Sequence, residues 1–507
     1  MNKIIRVAVT EDEANSIDDL SNGVLFRVVA EGYDAHVMNL TDINEDFDYY
    51  FGSKPFNKQT YTSWSVFNGE KVDIETVAKQ NIAYAKYIAD TSRAITVGRS
   101  PTIALRDPSA KEKKTLTNLN NMYAYRDFNK SLSDSIQSMV TCGVGYRLIH
   151  NKKGDEFPRF SKLDSKLTYV VYDNSVEPES IVGVFYSPVD EKTSYVYVYT
   201  AKMMYFFQAS TCKSIGLETL RSSVPHSFGK VPITEYINNE YRMGDARPAY
   251  GAIELFCMGQ NDVVMGNHDK VKTLLVLKNV IVGNEEQQKT ANDLFKSSRM
   301  LAISGDGESV DAKYITPQVD DSSANDNLSK IDNEIWMASR IVNFNDPDFA
   351  QNASEPALKL KMKGMIDLIK EKEKYITPCL KREIKMTLNY LENIGSLSKY
   401  DMDITKVNVV YNHPLPSNDQ EKATILQMLY NMNHFNPELL RELSFMGDDL
   451  ETYIAGIVTK PIEQQKKEDE GVNETNKERQ NEAETLVGGG DNAKNKLMSE
   501  ANKQENM

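Results

Sequence analysis

Residues 226–245 read HSFGKVPITEYINNEYRMGD, and the chain changes character across them. Upstream, to about residue 237, β-branched and aromatic runs are separated by Asp, Asn, Ser, Gly and Pro: LTYVVYDN at 167–174, IVGVFYS at 181–187, SYVYVYT at 194–200 and KMMYFFQA at 202–209. Such runs between turn formers predict an antiparallel β region. Downstream, Pro248 to Lys272 hold no further proline and predict a helix of about 25 residues, ~37 Å long at the α-helical rise. The quoted segment is therefore the exit from a sheet into a long helix.

Further upstream, Asn129 to Thr141 predict a helix stopped by the turn Gly143-Val144-Gly145, after which Tyr146, Leu148 and His150 begin an alternating pattern. Residues 75–97 place Val77, Ile82, Tyr84, Ile88 and Ile95 at largely helical spacing, ended by Gly98 and Pro101. In the downstream helix, Gly251, Gly259 and Gly266 lie eight and seven residues apart, the last two on one stripe. Each costs an isolated helix about 1 kcal/mol relative to alanine, and close approach of a neighbouring helix would offset it. Residues 274–317 carry short β-like runs, LLVLKNVIVG and MLAIS, around a polar helix near Glu285 to Lys296, which predicts a small α/β insertion. A helix over Ala324 to Val342 follows, then a non-helical interval, Asn343 to Glu355, containing Pro347. The longest helical pattern, Pro356 to Asn393, sets Leu358, Met362, Met365, Leu368 and Ile369 among lysines and glutamates, and Pro378 should bend it. Residues 403–412, DITKVNVVYN, predict one more strand, and 419–460 two or three short helices. From Gln464 the chain has no aromatic residue and almost no large apolar one, so a disordered or conditionally helical tail is expected.

A chain of 507 residues with 40% hydrophobic and 26% charged residues is an ordinary folded protein of several modules. No apolar run is long enough to cross a bilayer, and neither a secretory nor a membrane-spanning reading is supported. Cys142, Cys212, Cys257 and Cys379 form no CxxC pair and read as reduced, cytoplasmic thiols. A net charge of −14 argues against gripping nucleic acid through its phosphates, which requires clustered Lys and Arg. An acidic surface would repel DNA weakly, and that suits a conduit better than a clamp.

No sequence element assembles a convincing active site, and neither cofactor nor metal is expected. Gly266-Asn267-His268-Asp269 resembles an element of binuclear metallophosphoesterases, and Asp34-Ala35-His36 and Gly244-Asp245 precede it in the order of that family. The chain has six histidines, however, and His413 and His434 do not form the downstream GHxH, while residues 266–269 fall in a helical pattern. Gly143-Val144-Gly145 lacks a third glycine and follows a helix, so it reads as a plain turn. There is no GxxxxGK[ST], GxSxG or HExxH. The lysine-rich residues 359–385 read as a solvated helix face rather than a DNA-binding stripe.

His226, Phe228, Gly229, Val231, Pro232, Asn238, Asn239, Gly244 and Asp245 together resemble the H-x-FGxVP-hydrophobic-E-hydrophobic-x-NN…GD junction of the portal proteins of long-tailed double-stranded DNA bacteriophages. KYIADTSRAITVGRSP at 86–101, GVGYRLI at 143–149, the wing-sheet runs, ASEPALKLKMKGMIDLIKEKEK at 353–374 and VVYNHPLPSNDQEKA at 409–423 resemble further family segments in the expected order, covering about residues 50–460. Ser354-Glu355-Pro356 departs from the family's Ser-Gly before the long helix, and the first 50 residues match poorly. The resemblance implies a ring-forming α+β fold. An α/β wing would occupy 1–245 and 356–420, two stem helices 246–273 and 324–341, a small α/β clip 274–323, a tunnel loop 342–355, an α-helical crown 421–463 and a tail 464–507. It also implies a non-enzymatic homo-oligomer, a ring of about twelve subunits, assembled in the host bacterial cytoplasm and located at the portal vertex of the virion capsid. The implied partners are the terminase large subunit, head-completion or adaptor proteins, major capsid and scaffolding proteins, and double-stranded DNA passing through without sequence preference. Val342, Asn343, Phe344, Asn345, Asp346, Asp348, Phe349, Gln351 and Asn352 would face that DNA, and Gly251, Gly259 and Gly266 would pack the stem. The alternatives are a head-tail adaptor or other virion structural protein and, more remotely, a binuclear metallophosphoesterase.

Overall fold

The structure, a computed structural model, describes residues 2–56, 60–67, 70–152, 154–190, 192–270, 274–278, 300–303, 311–315, 321–346, 349, 355–394 and 402–413. By its contacts the chain divides into two units, Met1–Leu415 and Pro416–Met507. The second unit lies outside the described residues, and with it the expected crown helices and tail.

The N-terminal region holds structure that the sequence reading leaves unassigned. The Thr10 hydroxyl and Glu13 carboxylate form a reciprocal capping box that starts helix α1, Glu11–Asn15. Helix α2, Val24–Tyr50, buries Leu25, Val28, Val29, Gly32, His36, Ile43, Asp46 and Tyr49, a three-four spacing interrupted by polar residues and therefore weak as an apolar pattern. Next, β1 (Thr60–Phe67) and β2 (Glu70–Ala78) form an antiparallel hairpin. This corrects the helix expected from residue 75. Val72, Ile74 and Thr76 alternate with a period of two and enter the strand, while helix α3 begins only at Tyr84 and ends at Val97.

Beyond β3 (Thr102–Leu105), α4 (Ala110–Tyr125) starts on a second capping box, Ser109 with Glu112. Helix α5, Phe128–Cys142, matches its expected span and stops at Gly143, whose φ of +85° is open to glycine at little cost. Then β4 (Val144–His150), β5 (Arg159–Leu163), β6 (Thr168–Tyr172), β7 (Ser180–Asp190), β8 (Thr193–Tyr199), β9 (Met203–Ala209), β10 (Leu220–Pro225) and β11 (Ile233–Ile237) supply the expected antiparallel region. It is split between a five-stranded meander, β10-β9-β8-β7-β6, and a three-stranded sheet, β11-β4-β5. Residues 5–7 run parallel to β6 and exchange main-chain bonds with Tyr172, so the chain's own N-terminal segment covers that sheet edge.

After the junction a 3-10 turn, Arg247–Ala249, with Pro248 in its first turn, leads into helix α6, Tyr250–Lys270. A three-stranded sheet follows, in which β12 (Leu274–Lys278) pairs parallel with β13 (Met300–Ile303) and antiparallel with β14 (Asp311–Ile315). The polar helix expected near Glu285 to Lys296 lies outside the described residues. Helix α7 spans Asp321–Ser339, three residues earlier than expected, because Arg340 at φ +58° ends it. The 39-residue helix α8, Glu355–Asn393, contains Pro378 and precedes β15 (Val407–Val410), which pairs with β3.

The apolar residues fall into four buried clusters. One lies between α2 and the meander, one between α4, α5, α8 and the β3–β15 pair, one where α2, α3, α6, α7 and α8 meet, and one between the two larger sheets. Helix α2 contributes Leu25, Val28 and Val29 to the first, Ile43 to the fourth and Tyr49 to the third. A single helix therefore ties the meander to the root of α6.

Candidate functional site

The residues of the sheet-to-helix junction are brought together with α5 and α8, and each has a mechanical task. Phe228 is buried and stacks on Tyr390 of α8, with ring centroids 5.3 Å apart. Beside it, His226 donates from Nε2 to the Thr200 carbonyl at 3.0 Å. Gly229 sits at φ +73°, and the Phe228 carbonyl accepts from the Asn389 amide at 3.1 Å. The Val231 carbonyl accepts from Arg382 at 2.7 Å, and that of Pro232 from the Ile149 amide at 3.0 Å. Asn238 donates to the Met243 carbonyl at 2.8 Å and to Asp245 Oδ1 at 2.7 Å, while Asn239 donates to the same Met243 carbonyl at 2.9 Å and accepts the Met243 amide at 3.1 Å. The two asparagines thus fold residues 238–245 into a tight loop. Gly244 presses on the Thr141 carbonyl and Gly143 on that of Arg242, so a side chain at either position would strike main chain.

Charges buried beneath this loop lock it to α8. The core stripe of α8 runs Met362, Met365, Ile369, Lys372, Ile376, Leu380, Glu383, with two charged residues in apolar positions. Lys372 donates to Asp245 and, at 2.7 Å, to Ser92 of α3. Burial outweighs Asp245 and lowers the Lys372 pKa from the ordinary lysine value. Glu383 pairs with Arg147 of β4, which also donates to the Tyr236 hydroxyl at 2.9 Å and to the Phe128 carbonyl at 3.2 Å and lies 4.2 Å from the centre of the Phe128 ring. Glu235 accepts from Arg242 and from the Tyr146 and Tyr172 hydroxyls, both at 2.9 Å. Among the lysines of residues 359–385, Lys361, Lys363, Lys370, Lys374 and Lys385 are solvated as expected, and Lys372 is the correction. Sequence reasoning missed Arg147, Lys372 and Glu383 because their partners are 127 or more residues away.

The glycines of α6 separate into different settings. A β-carbon on Gly259 would come within 2.9 Å of Leu328 Cδ2 on α7, so the close approach inferred there is to a helix of the same chain. Gly251 faces open space on a stripe with exposed Leu255 and Met258, and the surroundings of Gly266 lie outside the described residues. In the interval after α7, Phe344 is exposed and meets Phe349 edge-on at 5.4 Å, while Val342 and Asn343 are half-buried and Asn345 and Asp346 exposed. Asp348, Gln351 and Asn352 lie outside the described residues. The flanking cations are engaged: Arg340 pairs with Glu371 at 3.3 Å and Lys361 donates to the Phe349 carbonyl at 3.1 Å.

Among the described side chains, the hydrolase-like residues have separate commitments, and those of residues 266–269 lie outside them. Asp34 pairs with Lys213 on the surface, His36 is buried against Tyr169 with its pKa lowered to about 4 by burial, and Asp245 holds Lys372. Burial also pushes the Cys142, Cys212 and Cys379 thiols up to about 12, so they stay protonated. Among the described residues no helix is long and apolar enough to cross a membrane.

Against known proteins, the family described as phage portal protein, SPP1 Gp6-like, matches residues 32–475 of this chain. No curated protein matches it.

Proposed function

The chain belongs to the SPP1 Gp6-like family of phage portal proteins, and on that premise we propose that it forms the ring at one capsid vertex through which double-stranded DNA passes during packaging and ejection. Proteins of this family are structural components of the virion capsid rather than enzymes. The observation that carries the reading is the order of elements within the matched span: a sheet-to-helix junction, a helix, a small sheet, a second helix packed on the first, a non-helical interval and a 39-residue helix. On this reading α6 and α7 are the stem, the β12–β14 sheet belongs to the clip that docks the terminase and later the head-completion proteins, and the sheets with α8 form the wing.

The stripe of Gly251, Leu255 and Met258 suits contact with the next subunit, since exposed apolar side chains beside a small residue let helices approach closely. The interval after α7 would be the tunnel loop. Residues 342–355 contain Asp346 and Asp348 but neither Lys nor Arg, which favours weak, repulsive contact with the phosphate backbone. Negative-stain microscopy of the purified protein tests the proposal. Mushroom-shaped rings with a central hole are expected; flatter rings or monomers alone would favour a head-tail adaptor.

A further inference from the structure

At the root of α6 a single guanidinium is surrounded by carboxylates of α2. Arg247 donates to Glu45 at 2.9 Å, to Asp46 at 3.2 Å and to Asp42 at 2.5 Å. Tyr250 donates to the other oxygen of Asp46 at 2.8 Å. One turn on, Tyr49 stacks on Tyr250 with centroids 3.8 Å apart and donates to Glu254. The Asp46 side chain has 0% exposure and Arg247 16%. Three carboxylates of α2 thus converge on this guanidinium across the joint between two long helices, and only Asp46 of the three is fully enclosed.

We propose that this cluster is a proton-operated latch between α2 and the root of α6, closed when Asp46 carries a proton and loosened when Asp46 ionises. The reason is electrostatic. An ionised Asp46 loses hydration and faces Asp42 and Glu45 on its own helix, with Arg247 and Tyr250 across the joint and the neutral Cys142 thiol of α5 nearby. Burial outweighs Arg247 and raises the Asp46 pKa to about 7. In an opened joint Asp46 would return towards the ordinary value of 3.8. The closed joint therefore binds a proton that the open joint lacks between these values, so closure is favoured at the acid end and weakens as pH rises to about 7, above which the effect is constant. The latch stands on α2 and α6 of one chain and does not depend on ring formation.

Hydrogen exchange of the full-length protein from pH 5 to 8, corrected for the intrinsic pH dependence of amide exchange, tests it. Opening of residues 247–257 should rise by up to about tenfold per pH unit below pH 7 and then level off. Residues 194–209 of the meander should show no such slope. Asp46→Asn, which keeps the size and hydrogen-bonding capacity of the side chain, should flatten the profile, and Asp42→Asn should move its upper break to lower pH. A flat wild-type profile, a slope shared by the meander, or a slope that survives Asp46→Asn would overturn the latch.

Discussion

Arg147 and Glu383 show how much of this fold rests on single side chains. Both have 0% side-chain exposure, and the guanidinium reaches β11 and α5 as well as α8. Losing one partner of such a pair leaves the other charged and unhydrated, which costs more than replacing both by apolar groups. Glu383→Gln is therefore expected to lower stability by about 3–5 kcal/mol. The double variant Arg147→Met with Glu383→Leu should recover most of that loss; thermal and urea unfolding of the three proteins measure it. Gly143→Ala meets two separate penalties, a left-handed backbone and the Arg242 carbonyl. It should lower the melting temperature more than Gly154→Ala, where φ is +91° but nothing lies within 4 Å.

At the scale of elements, α6 has two faces with different consequences. Gly259→Leu would force α6 from Leu328 and is expected to destabilise the monomer by about 1–3 kcal/mol, as overpacking does. The close approach at Gly259 is therefore made within one chain, to Leu328 of α7. Gly251→Leu adds a side chain in open space and improves helix propensity, so the monomer should melt no lower than wild type while assembly is impaired. Sedimentation velocity beside thermal unfolding separates the two effects. Unimpaired assembly of Gly251→Leu would remove that stripe from the proposed subunit interface.

For the whole molecule, the proposed conduit makes charge the term that would set its relation to DNA. With a net charge of −14 and an interval whose flanking cations Arg340 and Lys361 are engaged by Glu371 and the Phe349 carbonyl, non-specific binding should fall below the roughly micromolar affinity of basic proteins. Fluorescence anisotropy of a short duplex, titrated with the purified protein at physiological salt, should show no saturable binding in that range. Tight binding there would overturn the proposed conduit in favour of a clamp.

The sequence by itself determined the type and order of the main elements. Residues 128–142, the runs from 168 to 209, and helices 250–270, 321–339 and 355–393 all carry their periodicity within one contiguous stretch. It also marked the junction, through the resemblance of residues 226–245 to the portal-family segment. Only the tertiary structure decided what those residues hold: Lys372 looks like any lysine of a charged helix until Asp245 and Ser92 close over it. The same holds for α2, whose buried face includes Gly32, His36 and Asp46, and for residues 70–78, which become a strand by pairing with 60–67. Periodicity is a property of one segment and can be read along it. Burial and pairing are relations between segments far apart in the chain, and they exist only once the segments meet.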